Sequence, residues 1–241
     1  MILEIAANSV ASALAAQQGG AGRVELCSAL ELGGLTPSHA QIALAREHLS
    51  IPLYVLIRPR AGDFLYSDLE CETMRRDIEA CAAAGCDGVV LGVLDVEGEV
   101  DMSRCRALRA AAGNMGITFH RAFDMVRRPS QALESLIELG CERVLTSGGA
   151  ATAVDGAAQI RALVIQAADR IEVMPGAGIT AHNIAELAMR TAAHQFHASA
   201  KHRLQSRMQH RHPHLDDMQQ GELRSEVRAV QAMVMALQPA G

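Results

Sequence analysis

A single (β/α)₈ barrel is the fold this sequence predicts, and three observations predict it. Short apolar runs recur eight times at intervals of about 30 residues, as a barrel of about 250 residues requires. Each run is followed by a helix-like stretch. The C-terminal ends of the runs carry polar residues and glycines, and barrel chemistry sits at those ends.

Taken in order, the runs cover residues 3–5, 24–26, 53–57, 89–93, 117–119, 144–146, 171–174 and 195–198. Helix punctuation separates them. Asn8 or Ser9 can cap a first helix that stops at Gly19-Gly20. Ser67 and Glu70 form a capping box that opens a long helix ending near Gly85. Asp101 can cap a helix that stops at Gly113, and Pro129 sits where a first-turn proline is tolerated before a stop at Gly140. Thr180 is the expected cap of a helix ending near Arg190. The joints Ala84-Gly85-Cys86-Asp87-Gly88-Val89 and Leu139-Gly140-Cys141-Glu142-Arg143-Val144 are alike, a weak internal repeat of the βα unit. No Pro-, Gly- or Ser-rich linker divides the chain, so all 241 residues are expected to form one domain. Residues 202–215 form a polar, basic, His-rich stretch, expected as a long eighth βα loop. Residues 216–238 return to a helical pattern with Leu223, Val227, Val230 and Val234 on one side.

Composition narrows the function classes. The chain is 49% hydrophobic and 20% charged, with a net charge of −5, which argues against a nucleic-acid surface. No run approaches the ~18 apolar residues of a membrane span. The first residues lack a basic n-region and carry Glu4 inside the first apolar run, so no secretory signal is expected. Six cysteines with no C-x-x-C spacing point to reduced thiols in the cytoplasm. Aromatic content of 2% leaves few stacking platforms for bases or sugars. An exterior rich in Ala and Met would permit a homodimer.

Several strand ends could carry chemistry. Glu25 alternates with Val24 and Leu26, which points it into the barrel interior. A buried carboxylate needs a partner, and Arg58 and Arg60 at the end of the third strand are candidates. Those two arginines flank Pro59, a rigid turn suited to bidentate recognition of carboxylate or phosphate, although a structural pair with Glu25 is the alternative. His120, Arg121 and Asp124 share the end of the fifth strand. His120 could be a general acid or base with Asp124 fixing its tautomer. Ser147 and Gly148, Gly176 and Gly178, and His197 and Ser199 end strands six, seven and eight. Glycines and a polar turn there match the phosphate site of such barrels. Cys27 sits at the mouth after strand two, as a soft-metal ligand or as an inert packed thiol.

These motifs carry a resemblance. Arg23-Val24-Glu25-Leu26-Cys27-Ser28, Gly33-Gly34-Leu35-Thr36-Pro37-Ser38, Ile57-Arg58-Pro59-Arg60, Asp63-Phe64-Leu65-Tyr66-Ser67, Thr118-Phe119-His120-Arg121-Ala122-Phe123-Asp124, Leu145-Thr146-Ser147-Gly148-Gly149 and Phe196-His197-Ala198-Ser199-Ala200 resemble the CutC family over about residues 2–201. The resemblance implies a TIM barrel, a cytoplasmic location and a role in copper homeostasis, with copper(I) binding by cysteine. Family members commonly carry a cysteine where this chain has Ala6, so Cys27 is the one mouth thiolate left for copper(I). The rival expectation is a barrel enzyme, isomerase- or lyase-like or hydrolytic, or a binding barrel, for a small anionic metabolite, phosphorylated ones included. Glu25, His120 and Asp124 would then be catalytic. Arg58, Arg60, Arg121, Ser147, Gly148, Gly176, Gly178, His197 and Ser199 would hold the anion.

Overall fold

The computed structural model describes residues 1–215 and 219–238. Eight parallel strands form the barrel: β1 (Ile2–Ala7), β2 (Arg23–Leu26), β3 (Leu53–Leu56), β4 (Gly88–Leu91), β5 (Gly116–Phe119), β6 (Arg143–Thr146), β7 (Glu172–Pro175) and β8 (Gln195–Ala198). Their order is β7-β6-β5-β4-β3-β2-β1-β8, and β7 and β8 lie side by side without a ladder of their own, so the barrel is nearly closed. Outward-facing Leu3, Ile5, Val24, Leu26, Leu53 and Val55 join the core beneath the helices. Alternation turns Glu4, Arg23 and Glu25 to the opposite, interior face, where all three are buried.

The helices follow the sequence punctuation closely. α1 (Val10–Gln18) is capped by Ser9, whose side chain accepts from the Ser12 N–H. Next comes α2 (His39–His48), then α3 (Asp68–Ala83), which opens with the complete Ser67–Glu70 capping box. α4 (Met102–Ala112) is capped by Asp101, and α5 (Pro129–Glu138) has Pro129 in its first turn. α6 (Ala157–Ala167) precedes α7 (Ile184–Thr191). Thr180 does not cap α7. Asn183 folds back to accept from the Thr180 N–H and donate to Gly178 O, each at 2.9 Å, which tightens a turn ahead of the helix.

The tail differs more. Lys201–Arg203 forms β9, paired antiparallel with β10 (Leu223–Ser225), and only then does α8 (Val227–Ala236) begin. The helix expected over 216–238 is therefore shorter, and residues 216–218 lie outside the described residues. Local helical patterning lost to tertiary bonds. Asn8 donates to Leu223 O at 2.8 Å, the Ser225 N–H donates to Ser12 Oγ at 3.1 Å, and Ser225 Oγ donates to Ser199 O at 2.9 Å. Gly19 lets α8 approach α1, since a Cβ there would sit 2.5 Å from Val230 Cβ.

Tyr54 fills the N-terminal end of the barrel. Its ring lies between the Arg23 and Arg143 guanidinium groups, at 5.3 and 4.6 Å from its centroid. It occupies space that side chains at Gly88 and Gly116 would claim. Its hydroxyl donates to Glu142 at 2.6 Å. A polar, plugged floor leaves the opposite mouth as the open end.

Candidate active site at the barrel mouth

A cavity of about 310 Å³ opens at the C-terminal ends of the strands. Glu25, Arg58, His120, Arg121, Asp124 and His197 line it, against an apolar wall of Ala6, Leu30, Leu56, Phe64 and Leu145. Six of the residues singled out from sequence thus meet in one place. Arg60, Ser147, Gly148, Gly176, Gly178, Ser199 and Cys27 are not among its lining residues.

Glu25 is the least conventional group. It is 5% exposed, and its Oε2 has no hydrogen-bond partner among the described residues. Burial, helped by the neighbouring Glu4 charge, raises its pKa to about 7, despite opposing attraction from His197 and Arg23. Glu4 behaves oppositely. Burial pushes it up, but the Arg23 charge and the bonds from His197 and Arg23 outweigh burial and hold it at about 2. Arg23 pairs with one Glu4 oxygen, and His197 Nδ1 lies 2.7 Å from the other. Burial alone would lower the His197 pKa; the Glu25 and Glu4 carboxylates overcome that and raise it. The expected pairing of Glu25 with Arg58 or Arg60 does not form: Glu25 makes no ion pair among the described residues, and the charges it feels are those of His197, Glu4 and Arg23, of which Arg23 and His197 are bonded to Glu4. Arg23 shares interior parity with Glu25, two residues away on β2, and that spacing was the missed signal.

Arg58 is spent differently. Its Nη1 donates to Leu32 O and Gly34 O at 3.0 and 2.9 Å, and its Nη2 to Gly62 O at 2.8 Å. The guanidinium stacks 5.2 Å from the Phe64 centroid, and its Nε has no partner among the described residues. Arg58 thus ties the loops after β2 and β3 together while its charge meets no carboxylate among the described residues. Arg60 turns to Glu70 and Asp63, at 2.6 and 2.9 Å, so its fork is committed outside the cavity.

His120 and Asp124 do not form the expected pair. His120 Nδ1 accepts from the Ala122 N–H at 3.1 Å, which leaves the proton on Nε2. Burial and the Arg58 charge push its pKa down to about 3, so the imidazole is neutral at physiological pH. A neutral ring with a proton on Nε2 donates a hydrogen bond; it is not a resting general acid. Asp124 instead accepts from Thr146 Oγ1 at 2.5 Å, from the N–H groups of Ser147 and Gly149, and from Arg121 at 2.7 Å. It organises the loop after β6 and anchors Arg121 at the rim.

Part of the expected anion cradle is already committed to the protein's own hydrogen bonds. The Gly148 N–H donates to Thr146 Oγ1, and the Gly176 N–H donates to Thr146 O. Ser147 Oγ bonds Asp124 and Ala150 O. Phe64 and Gly92 are the residues sequence reasoning passed over. The Phe64 ring lies 5.0 Å from that of His120. A Cβ at Gly92 would lie 2.6 Å from His120 Cε1 and Nδ1. Gly92→Ala should therefore displace the ring and lower stability by about 1–3 kcal/mol, an overpacking cost. Denaturant midpoints with an unchanged m-value would register it; an unchanged midpoint would mean the ring moves freely.

Cys27 is fully buried among Tyr54, Leu56 and Val90, and burial pushes its thiol well above the ordinary range. Copper(I) prefers soft sulfur donors. With Ala6 beside Glu25 in register and Cys27 protonated, the residues present do not fit a copper(I) thiolate site.

The comparisons with known proteins agree with the barrel fold. The model of the CutC family matches residues 1–202. A family protein CutC of Xanthomonas axonopodis pv. citri is 56% identical over 240 residues, covering 100% of both chains. One from Xylella fastidiosa is 60% identical across 90% of this chain and 81% of its own. A solved CutC structure from Streptococcus agalactiae, named for copper homeostasis, superposes with a TM-score of 0.79 at 33% identity, covering 82% of this chain and 97% of its own. The family model spans all eight barrel strands and stops at the start of the β9–β10 arm, and the chain belongs to the CutC family.

Proposed function

We propose that the mouth cavity is the active site of an enzyme that moves a proton on a small carboxylate-bearing metabolite, in an isomerase- or lyase-like reaction. One observation carries this reading: Glu25 is a buried carboxyl group on the cavity wall whose pKa is raised to about 7. A general acid or base works best when its pKa lies near the operating pH. Glu25 would take a proton from carbon beside a carbonyl and return it to product. The neutral His120 Nε2–H would donate to the carbonyl oxygen as charge develops there. Arg58, whose charge has no carboxylate partner among the described residues, and Arg121 at the rim would favour an anionic substrate. A carboxylate suits this set better than a phosphate, because the Gly148 and Gly176 amides are already bonded. Six unpaired cysteines suit a cytoplasmic setting, and among the described residues no helix is long and apolar enough to cross a membrane. The link to copper homeostasis comes with the family, and no step here uses copper.

Incubation in D₂O with a panel of small 2-oxo and 2-hydroxy carboxylates tests the reading. Wild-type protein should catalyse deuterium incorporation into at least one compound, read by mass spectrometry. Glu25→Gln should lower that rate by about 10²–10⁴-fold, the usual contribution of a general base. Exchange that persists at the wild-type rate in this variant would remove Glu25 from the chemistry.

A further inference from the structure

Glu4, Glu25 and His197 converge from the neighbouring strands β1, β2 and β8. One ligand atom from each lies within 4.8 Å of the others. We infer that this trio binds a divalent transition-metal ion of the zinc(II) class. The site shares Glu25 with the proposed reaction, but the inference does not depend on that reaction.

The donor set argues for that class. One imidazole and two carboxylates suit borderline ions, whereas calcium and magnesium prefer all-oxygen shells and copper(I) prefers sulfur. A second observation is independent of the clustering. Glu25 is 95% buried by difference from its 5% exposure, yet its Oε2 has no partner among the described residues. A buried polar atom left unsatisfied is rare enough to need a reason, and a cation supplies one. Glu4 already pairs with both Arg23 and His197, so Glu25 is the carboxylate without a cationic partner among the described residues, and an ion bound by the trio would take the place of the proton between His197 and Glu4. Glu25 and His197 both line the cavity, which gives the ion an entry path and leaves its remaining coordination positions facing the mouth. An ion held there would take the Glu25 carboxylate as a ligand. Metal occupancy and proton transfer by Glu25 would then exclude each other.

Cobalt(II) is the probe, because its visible absorption separates nitrogen and oxygen ligands from thiolate. Equilibrium dialysis and absorption spectra would be recorded for the wild-type chain, Glu25→Gln, His197→Gln, and a variant carrying His210→Ala, His212→Ala and His214→Ala together. The expected result is one tight equivalent without a thiolate charge-transfer band. Its affinity should fall at least about 10-fold in Glu25→Gln and in His197→Gln, and stay unchanged in the triple arm variant. Circular dichroism confirms that each variant is folded. The proposal is overturned if the equivalent survives both site substitutions, disappears with the arm histidines, or carries the thiolate band. Deuterium exchange measured in metal-free protein decides the proposed reaction separately.

Discussion

Arg23→Met should be the most damaging single substitution in the barrel, lowering stability by about 3–5 kcal/mol at neutral pH, as expected when one partner of a buried ion pair is removed. Arg23 does three things at once. It pairs with the fully buried Glu4, stacks on Tyr54, and donates from Nη2 to Gln195 at 2.9 Å and to Met174 Sδ at 3.4 Å. Methionine keeps much of the volume and loses the charge, so Glu4 would stand buried with only His197 beside it. The pH dependence follows from Glu4. Its pKa is held at about 2 in the folded chain, below its ordinary 4.5, so its stabilising contribution is present above pH 4.5 and is lost as pH falls toward 2. The penalty of Arg23→Met should therefore be largest at neutral pH and shrink in acid. The double variant Arg23→Met with Glu4→Gln should recover part of the loss, because no uncompensated charge remains. Denaturant melts at several pH values would read both effects; a single variant as stable as wild type at pH 7 would show that the pair is dispensable.

The second large effect runs in the opposite direction. Glu25→Gln should make the protein more stable at alkaline pH. The folded chain holds the Glu25 proton up to about pH 7, while the unfolded chain releases it near 4.5. Between those values the folded state binds more protons, so wild-type stability falls as pH rises through that window. The full difference is on the order of 3 kcal/mol, from about 1.36 kcal/mol per unit. Glutamine is nearly isosteric and never ionises. The variant should match wild type near pH 4.5 and exceed it by about 3 kcal/mol at pH 8. Equal stability of the two chains across that range would mean that Glu25 is ionised without cost in the folded protein. Loss of function with gain of stability is the signature expected of a group kept for chemistry rather than for folding.

The barrel was legible because its strands combine apolar runs with regular spacing, and because Ser67, Asp101 and Pro129 carry their capping chemistry locally. Thr180 misled because the side chain of Asn183, three residues on, closes a turn that the Thr180 motif alone does not show. The tail misled because the fate of Leu223–Ser225 is decided by Asn8, Ser12 and Lys201–Arg203, all distant in sequence. The same limit governed the mouth. Alternation placed Glu25 inside, but its true neighbours depend on strand register: Glu4 opposite Arg23 on one side and His197 on the other. The motif around Arg58 announced a guanidinium at the mouth. It could not announce that three backbone carbonyls would claim that guanidinium.

The missing ladder between β7 and β8 makes the barrel a hoop with one unwelded join. Every other neighbouring pair is joined by a backbone ladder, while this pair is crossed at its lower end by the Arg23 side chain, reaching both Met174 and Gln195. Elastic deformation of a hoop concentrates at its weakest join. His197 stands on β8 at that join, and its ring packs where a Cβ on Gly176 would lie 3.5 Å away. Arg58 and His120 stand on the fastened side, held by the β3–β4 and β4–β5 ladders. The cavity thus has one side, carrying Arg58 and His120, at the ends of strands laddered to both neighbours, and another, carrying His197, on a strand laddered on one side only. Widening to admit a ligand would occur at the His197 side and leave the geometry of the other intact.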